Sequence, residues 1–285
     1  MRSLASATIL TRFNKQLNKG SIFGVLASGL LLAGCGGGGG GSSDNDPETS
    51  TDSVSETSTS NLLEAVDPGA FVADVERPDE LPTPLEIALL SPSGRVVLLY
   101  NRNAITSAEI DFDQDRSFSG PGTDIYYSGD EWVQNEGKLE GEAVSKSVIK
   151  GEAKSTSDDP RTSFTLTRDG PASAQGASLE AVGGRTYSEQ DASSETSQSI
   201  TIDKDGTLTG SYHTGSDQKA CTFNGNVSVP DERFNVYEVS FEATGCGDDL
   251  RNGTYTGLAM YDQRDPDRLV IIAENGEVTG VFISD

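Results

Sequence analysis

Histidine, tryptophan and basic side chains are what this chain of 285 residues has least of. It holds one His, one Trp, two Met and three Cys, and 21 Lys and Arg stand against 45 Asp and Glu. Each shortage excludes something. Any imidazole chemistry rests on His213 alone. A formal charge of −24 repels nucleic acid, whose binding requires Lys and Arg to displace counterions from phosphate. It equally repels anionic lipid head groups. The apolar run Ile22 to Ala33 is about a dozen residues, where a bilayer-spanning helix needs roughly 20. No P-loop, dinucleotide fingerprint or zinc spacing occurs, so no cofactor is implied.

The N-terminus is the exception to the acidic balance. Arg2, Arg12, Lys15 and Lys19 precede the apolar segment, and small residues then lead to Leu32-Ala33-Gly34-Cys35. A charged, an apolar and a small-residue region in that order read as a bacterial secretory signal over residues 1–34. With Cys directly after Leu-Ala-Gly, the segment resembles the lipobox of bacterial lipoproteins. The resemblance implies cleavage before Cys35, with acyl chains such as palmitate on its sulfur and new amino group. Gly36 stands where Asp tends to retain such proteins at the inner membrane, so the resemblance implies a lipid anchor in the cell outer membrane.

Residues 1–34 hold four of the basic residues and none of the acidic ones, so the remainder carries a formal charge of −28. Membrane attachment must then come from the lipid and not from charge. Such a surface suits a basic protein partner or a divalent cation; plain solubility is the competing reading. Export also sets the redox compartment, one in which disulfides persist. Cys221 and Cys246 remain once Cys35 is lipidated, and one pair allows one connectivity. A metal site or a reactive thiol is the alternative, but neither cysteine sits in a C-x-x-C pair.

Residues 35–60 open with the lipidated Cys and a glycine run. They continue as Ser, Thr, Asp and Glu with the single apolar residue Val54. Such a stretch cannot offset its ordering entropy and is expected to be a disordered tether, with an r.m.s. span of roughly 25–30 Å. Polyglycine after the lipid cysteine is similar to that of some surface-exposed lipoproteins that bind host proteins. Residues 61–84 read as a connector, with a short helix at Leu62, Leu63 and Val66 cut by Pro68 and Gly69, then three prolines.

From Leu85 the chain reads as short β-branched and aromatic runs punctuated by Gly, Asp and Asn. Two antiparallel β domains are expected, over 85–169 and 177–285, with Gly170 to Gly176 as the boundary. Each is small enough that one larger sheet is the alternative. In the second, Ile202 and Leu208 flank Asp203-Lys204-Asp205-Gly206, a strong hairpin signal. About eight strands follow one another there, enough to close a small barrel. The expected fold class is therefore all-β: antiparallel meanders forming one or two small barrels or sandwiches.

The C-terminal order is Ala177 to Tyr187, Ile202 to Gly210, Cys221-Thr-Phe-Asn-Gly225, Asn235 to Val239, Cys246, and Asn252 to Asp262. It resembles a group of proteobacterial lipoproteins that share a lipobox, a Gly/Ser tether and a C-terminal β-meander with two cysteines. That resemblance bears on fold and location, and brings no catalytic residue with it.

Candidate chemistry is sparse. A hydrolytic triad would need His213 as base, with Ser211 nearby, and no G-x-S-x-G elbow is present. Paired carboxylates for glycoside hydrolysis are uninformative in a chain this acidic. Asp111, Asp113 and Asp115 have the D-x-D-x-D opening of a calcium loop, but Arg116 replaces its Gly and Gly122 its Glu; an acidic turn is the competing reading. Tyr126, Tyr127 and Trp132 could form a ligand-binding aromatic platform, against ordinary sheet packing. The expectation is no enzyme. A binding module for a protein partner leads, and a structural or envelope-assembly lipoprotein is the alternative.

Overall fold

The computed structural model describes residues 61–76, 87–155, 162–191, 196–214, 219–262 and 268–284. The signal segment, Cys35, the tether and part of the expected connector lie outside the described residues. No described helix is long and apolar enough to cross a membrane.

Nine strands form the first sheet: β1 (Gly69–Glu76), β2 (Ile87–Leu90), β3 (Arg95–Asn101), β4 (Ala104–Glu109), β5 (Asp111–Phe112), β6 (Ser117–Ser128), β7 (Glu131–Ser145), β8 (Val148–Ser155) and β9 (Thr162–Arg168). Neighbours are antiparallel, β4 pairs β6 as well as β3, and β9 returns to pair β1. The ring β1-β2-β3-β4-β6-β7-β8-β9 is therefore closed, with β5 a spur on β6. Closure leaves the ring no free edge. One strand of it, β1, falls inside the segment expected as a connector. Pro68-Gly69 reads locally as a chain breaker, yet Phe71 is buried and pairs across to both Ala88 and Arg168.

Alternation along each strand sorts the side chains. On β7, Leu139, Gly141 and Ala143 face the interior while Lys138, Glu140 and Glu142 face out. Gly141 lies opposite Gly151. A Cβ on Gly141 would fall 2.8 Å from the Phe118 ring, and one on Gly151 2.5 Å from the Phe164 ring. The glycine pair thus makes room for two phenylalanines against the barrel wall. Residues 61–65 form a helical turn that sets Leu62, Ala65 and Val66 into the same core. Arg116 donates to Ala65 O at 2.6 Å, and Lys146 Nζ donates to Leu63 O, so two cations meet the carbonyl end of the turn.

Two helical turns, Gly170–Ser173 and Leu179–Val182, lead to the second sheet. Asp169 and Ser178 cap them by accepting from Ala172 N and Ala181 N. The second sheet is β10 (Arg185–Asp191), β11 (Thr196–Ile202), β12 (Thr207–Thr214), β13 (Lys219–Ser228), β14 (Tyr237–Thr244), β15 (Gly253–Asp262), β16 (Arg268–Glu274) and β17 (Thr279–Ile283). These eight strands run in sequence order, all antiparallel, as the all-β meander reading expects. The Asp203–Gly206 turn is tight: Gly206, at φ 90°, donates its N–H to Asp203 O, and Asp205 accepts from Thr207 N. The interior is filled by residues such as Tyr187, Ile202, Phe223, Tyr237, Phe241 and Phe282. Phe241 stacks on Tyr255 with ring centroids 5.0 Å apart.

The two barrels share a wall. Val96, Leu98 and Tyr100 of β3 face the first core, so Val97 and Leu99 point out, yet both are buried. On β15, Tyr255, Ala259 and Tyr261 face the second core, so Leu258 and Met260 point out, and they too are buried. β15 packs on β2 and β3, and β16 on β3. The outer faces of these strands are therefore pressed against one another, which explains why β3 and β15 read as continuous apolar runs.

Candidate functional site

Cys221 and Cys246 form a disulfide, with Cα atoms 4.3 Å apart. The bond ties the start of β13 to the loop after β14, which Thr222↔Thr244 brings together. Beyond it, Asp248–Asn252 is held tightly. Asp248 accepts from Leu250 N, Asn252 Oδ1 from Cys246 N, and Asn275 donates to Leu250 O.

Of the calcium candidates, Asp111 lies on β5, and Asp113 and Asp115 lie in the β5–β6 turn. Asp115 Oδ1 accepts the backbone N–H and hydroxyl of Ser117 at 3.0 and 2.7 Å, and those bonds lower its pKa. Asp113 O accepts from Arg116 N. The carboxylate of Asp115 is thus committed to shaping a turn, and no group of three metal-ligating side chains occurs among the described residues.

His213 lies on β12, opposite Ser197 and Ala220, on the face carrying Ser211. No hydrogen bond joins His213 to Ser211, so the geometry lacks the nucleophile–base contact a triad requires. Tyr237 and Tyr255 have raised pKa values, because burial disfavours their phenolates; Tyr255 is pushed up to about 12. Proton transfer near neutrality would need the opposite shift. Tyr237 spends its hydroxyl on Ser178, bonding its N and O at 3.2 and 3.3 Å.

An open groove of about 710 Å³ crosses the outer face of β1, β9, β8, β7 and β6. Lys138, Lys150, Glu140, Glu142, Glu152 and Asp74 line it. Glu140 is paired with both Lys138 and Lys154. Its carboxylates outnumber its lysines, and Glu140 is already engaged by two cations, so it reads as an acidic, partly salt-bridged sheet face more than a prepared charge site.

The aromatic candidates gather at the β6–β7 tip. Tyr127 lies opposite Trp132, rings edge to face with centroids 5.4 Å apart. Tyr127 is 47% exposed. Trp132 is half-buried and packs against the core cluster of the second barrel. Tyr126 turns the other way, its hydroxyl accepting from Asn135 Nδ2 at 3.2 Å. The structure thus brings Tyr127 and Trp132 together and leaves Tyr126 on the opposite face of the sheet.

Beside this tip is a contact that sequence reading did not find. Arg102, in the β3–β4 turn, pairs with Glu189 of β10. Its carbonyl accepts from Thr279 Oγ1 at 2.8 Å, and the second oxygen of Glu189 accepts from Ile283 N at 3.3 Å. One hairpin turn of the first barrel thereby reaches both end strands of the second. Asn101-Arg-Asn103 signals a turn, but nothing in the sequence couples it to a residue 87 positions away.

No family model, curated protein or solved structure matches the chain.

Proposed function

We propose that this protein is an outer-membrane lipoprotein, anchored through lipid on Cys35, that acts as a non-enzymatic binding module for a protein partner. The observation that carries the reading is the filling of both barrels by their own side chains. Recognition then falls to the outer surface. The basic-apolar-small order ending at Cys35 supports the anchor, and the formal charge of −28 favours a cationic partner. A partner met through charge associates faster at low salt and more slowly at high salt.

Two measurements test it. Cys35→Ala should move the protein from the membrane to the soluble fraction; membrane retention would reject the lipid anchor. The detergent-solubilised full chain, used as bait in an envelope extract, should retain a basic protein that salt elutes. A blank capture by a folded bait would reject the binding-module reading.

A further inference from the structure

The β6–β7 hairpin is the longest arm of the first barrel. Its ladder with β4 ends at Tyr126, and its ladder with β8 begins at Gly137. Among the described residues, the tip between them extends past both neighbouring ladders. The β3–β4 turn runs beside it, since Tyr127 N donates to Asn103 O at 2.9 Å. Together the two tips read Tyr126-Tyr-Ser-Gly-Asp-Glu-Trp132 and Asn101-Arg-Asn103. Such a mixture supplies rigid amphipathic rings from Tyr and Trp, and adaptable hydrogen bonding from Ser, Gly and Asn, as in antibody paratopes.

Tyr127 is the one exposed aromatic among the described residues. Its ring is already backed by Trp132, and Trp132 is wedged against the second barrel. Little rotamer freedom is left to lose on binding, which is what makes a ring an effective anchor. Asp130 and Glu131 are exposed on the same tip, while the cation at hand, Arg102, is engaged by Glu189. The rim is thus negative. A partner's Arg or Lys could lie over the Tyr127 face with these carboxylates beside it.

We propose that the β6–β7 tip and the adjoining β3–β4 turn form the docking patch for a cationic protein, with Tyr127 as its anchor and Asp130 and Glu131 as its charged rim. The proposal rests on the binding-module reading above and names the surface through which it works.

Trp132 is the only tryptophan in the chain, so its emission reports on this patch alone. The full chain in detergent is titrated with a hexa-arginine peptide, with Kd from calorimetry and location from Trp132 emission. A saturable emission change is expected. Tyr127→Ala, which leaves net charge unaltered, should weaken binding about tenfold with an unchanged melting temperature. Equal affinity of both proteins, or binding heat without an emission change, would overturn the patch. An emission response to a chito-oligosaccharide and none to the peptide would overturn it in favour of a glycan ledge. Wild-type and Tyr127→Ala baits are then compared in the envelope extract. Capture by the wild type alone supports the patch. Equal capture by both rejects the patch and leaves the binding-module reading standing. Capture by neither rejects both.

Discussion

The first barrel and the second each wind eight antiparallel strands, yet they are held closed by different means. In the first, backbone ladders run all the way round, through β4–β6 and β1–β9. In the second, no ladder joins β10 to β17 among the described residues. Glu189 instead accepts the Ile283 N–H, and Arg102 of the first barrel binds Glu189 and Thr279. The second barrel also carries the disulfide and the denser aromatic core. A ring of main-chain bonds tolerates a charged, solvated outer face such as that of β7 and β8. A ring without that last ladder leans on covalent and tertiary support, including its neighbour.

The largest effect should come from breaking the shared wall. Leu258 is fully buried on the outward face of β15. Leu258→Asp places an unpaired carboxylate between the barrels and should cost about 3–5 kcal/mol. Leu250→Asp is the contrast, since Leu250 is 44% exposed and the change should fall within about 0.5 kcal/mol. Urea unfolding of both variants decides it. Equal midpoints would mean that the barrels do not depend on a common core.

Next comes the disulfide. Cys221→Ser with Cys246→Ser releases a loop of 25 residues, worth about 3 kcal/mol in the chain-entropy picture. Because the first barrel has its own complete ring, amide exchange should accelerate first in β13 and β14 and last in β1 and β9. Uniform acceleration would show that the two barrels open as one unit, and would remove the distinction drawn above.

How far these features could be read from the chain depends on how local their causes are. The second barrel was legible because Asp203-Gly206 and the alternation around it act within a few residues. The cysteine pair was legible from count, since the lipobox resemblance sets Cys35 aside and leaves only Cys221 and Cys246. β1 was not, because Pro68-Gly69 looks like punctuation, and its place in the ring is set by partners at Ala88 and Arg168. β6 and β7 read as several short runs, since Gly120, Pro121, Gly122 and Gly137 look like turns. They lie instead within long strands, with Gly122 opposite Gly137, where glycine permits close approach in a bent barrel wall. The aromatic tip was visible in the sequence as residue types. Which ring faced solvent and which faced the second barrel followed only from register.

The smallest effect tests the seam itself. Arg102 and Glu189 are partly exposed, so removing the pair by Arg102→Ala should cost about 1 kcal/mol. That figure is too small to separate from scatter in a melting curve, but exchange reads it locally. The Ile283 amide should exchange about fivefold faster in Arg102→Ala, the equivalent of that energy. Glu189→Gln keeps an acceptor for Ile283 N–H while losing the ion pair, so it should fall between wild type and Glu189→Ala. Amides of Leu166 and its neighbours in β9 should not respond, because the first ring is closed by its own backbone. A response there equal to that at Ile283 would place the Arg102 contact in the general stability of the molecule and not in closure of the second barrel.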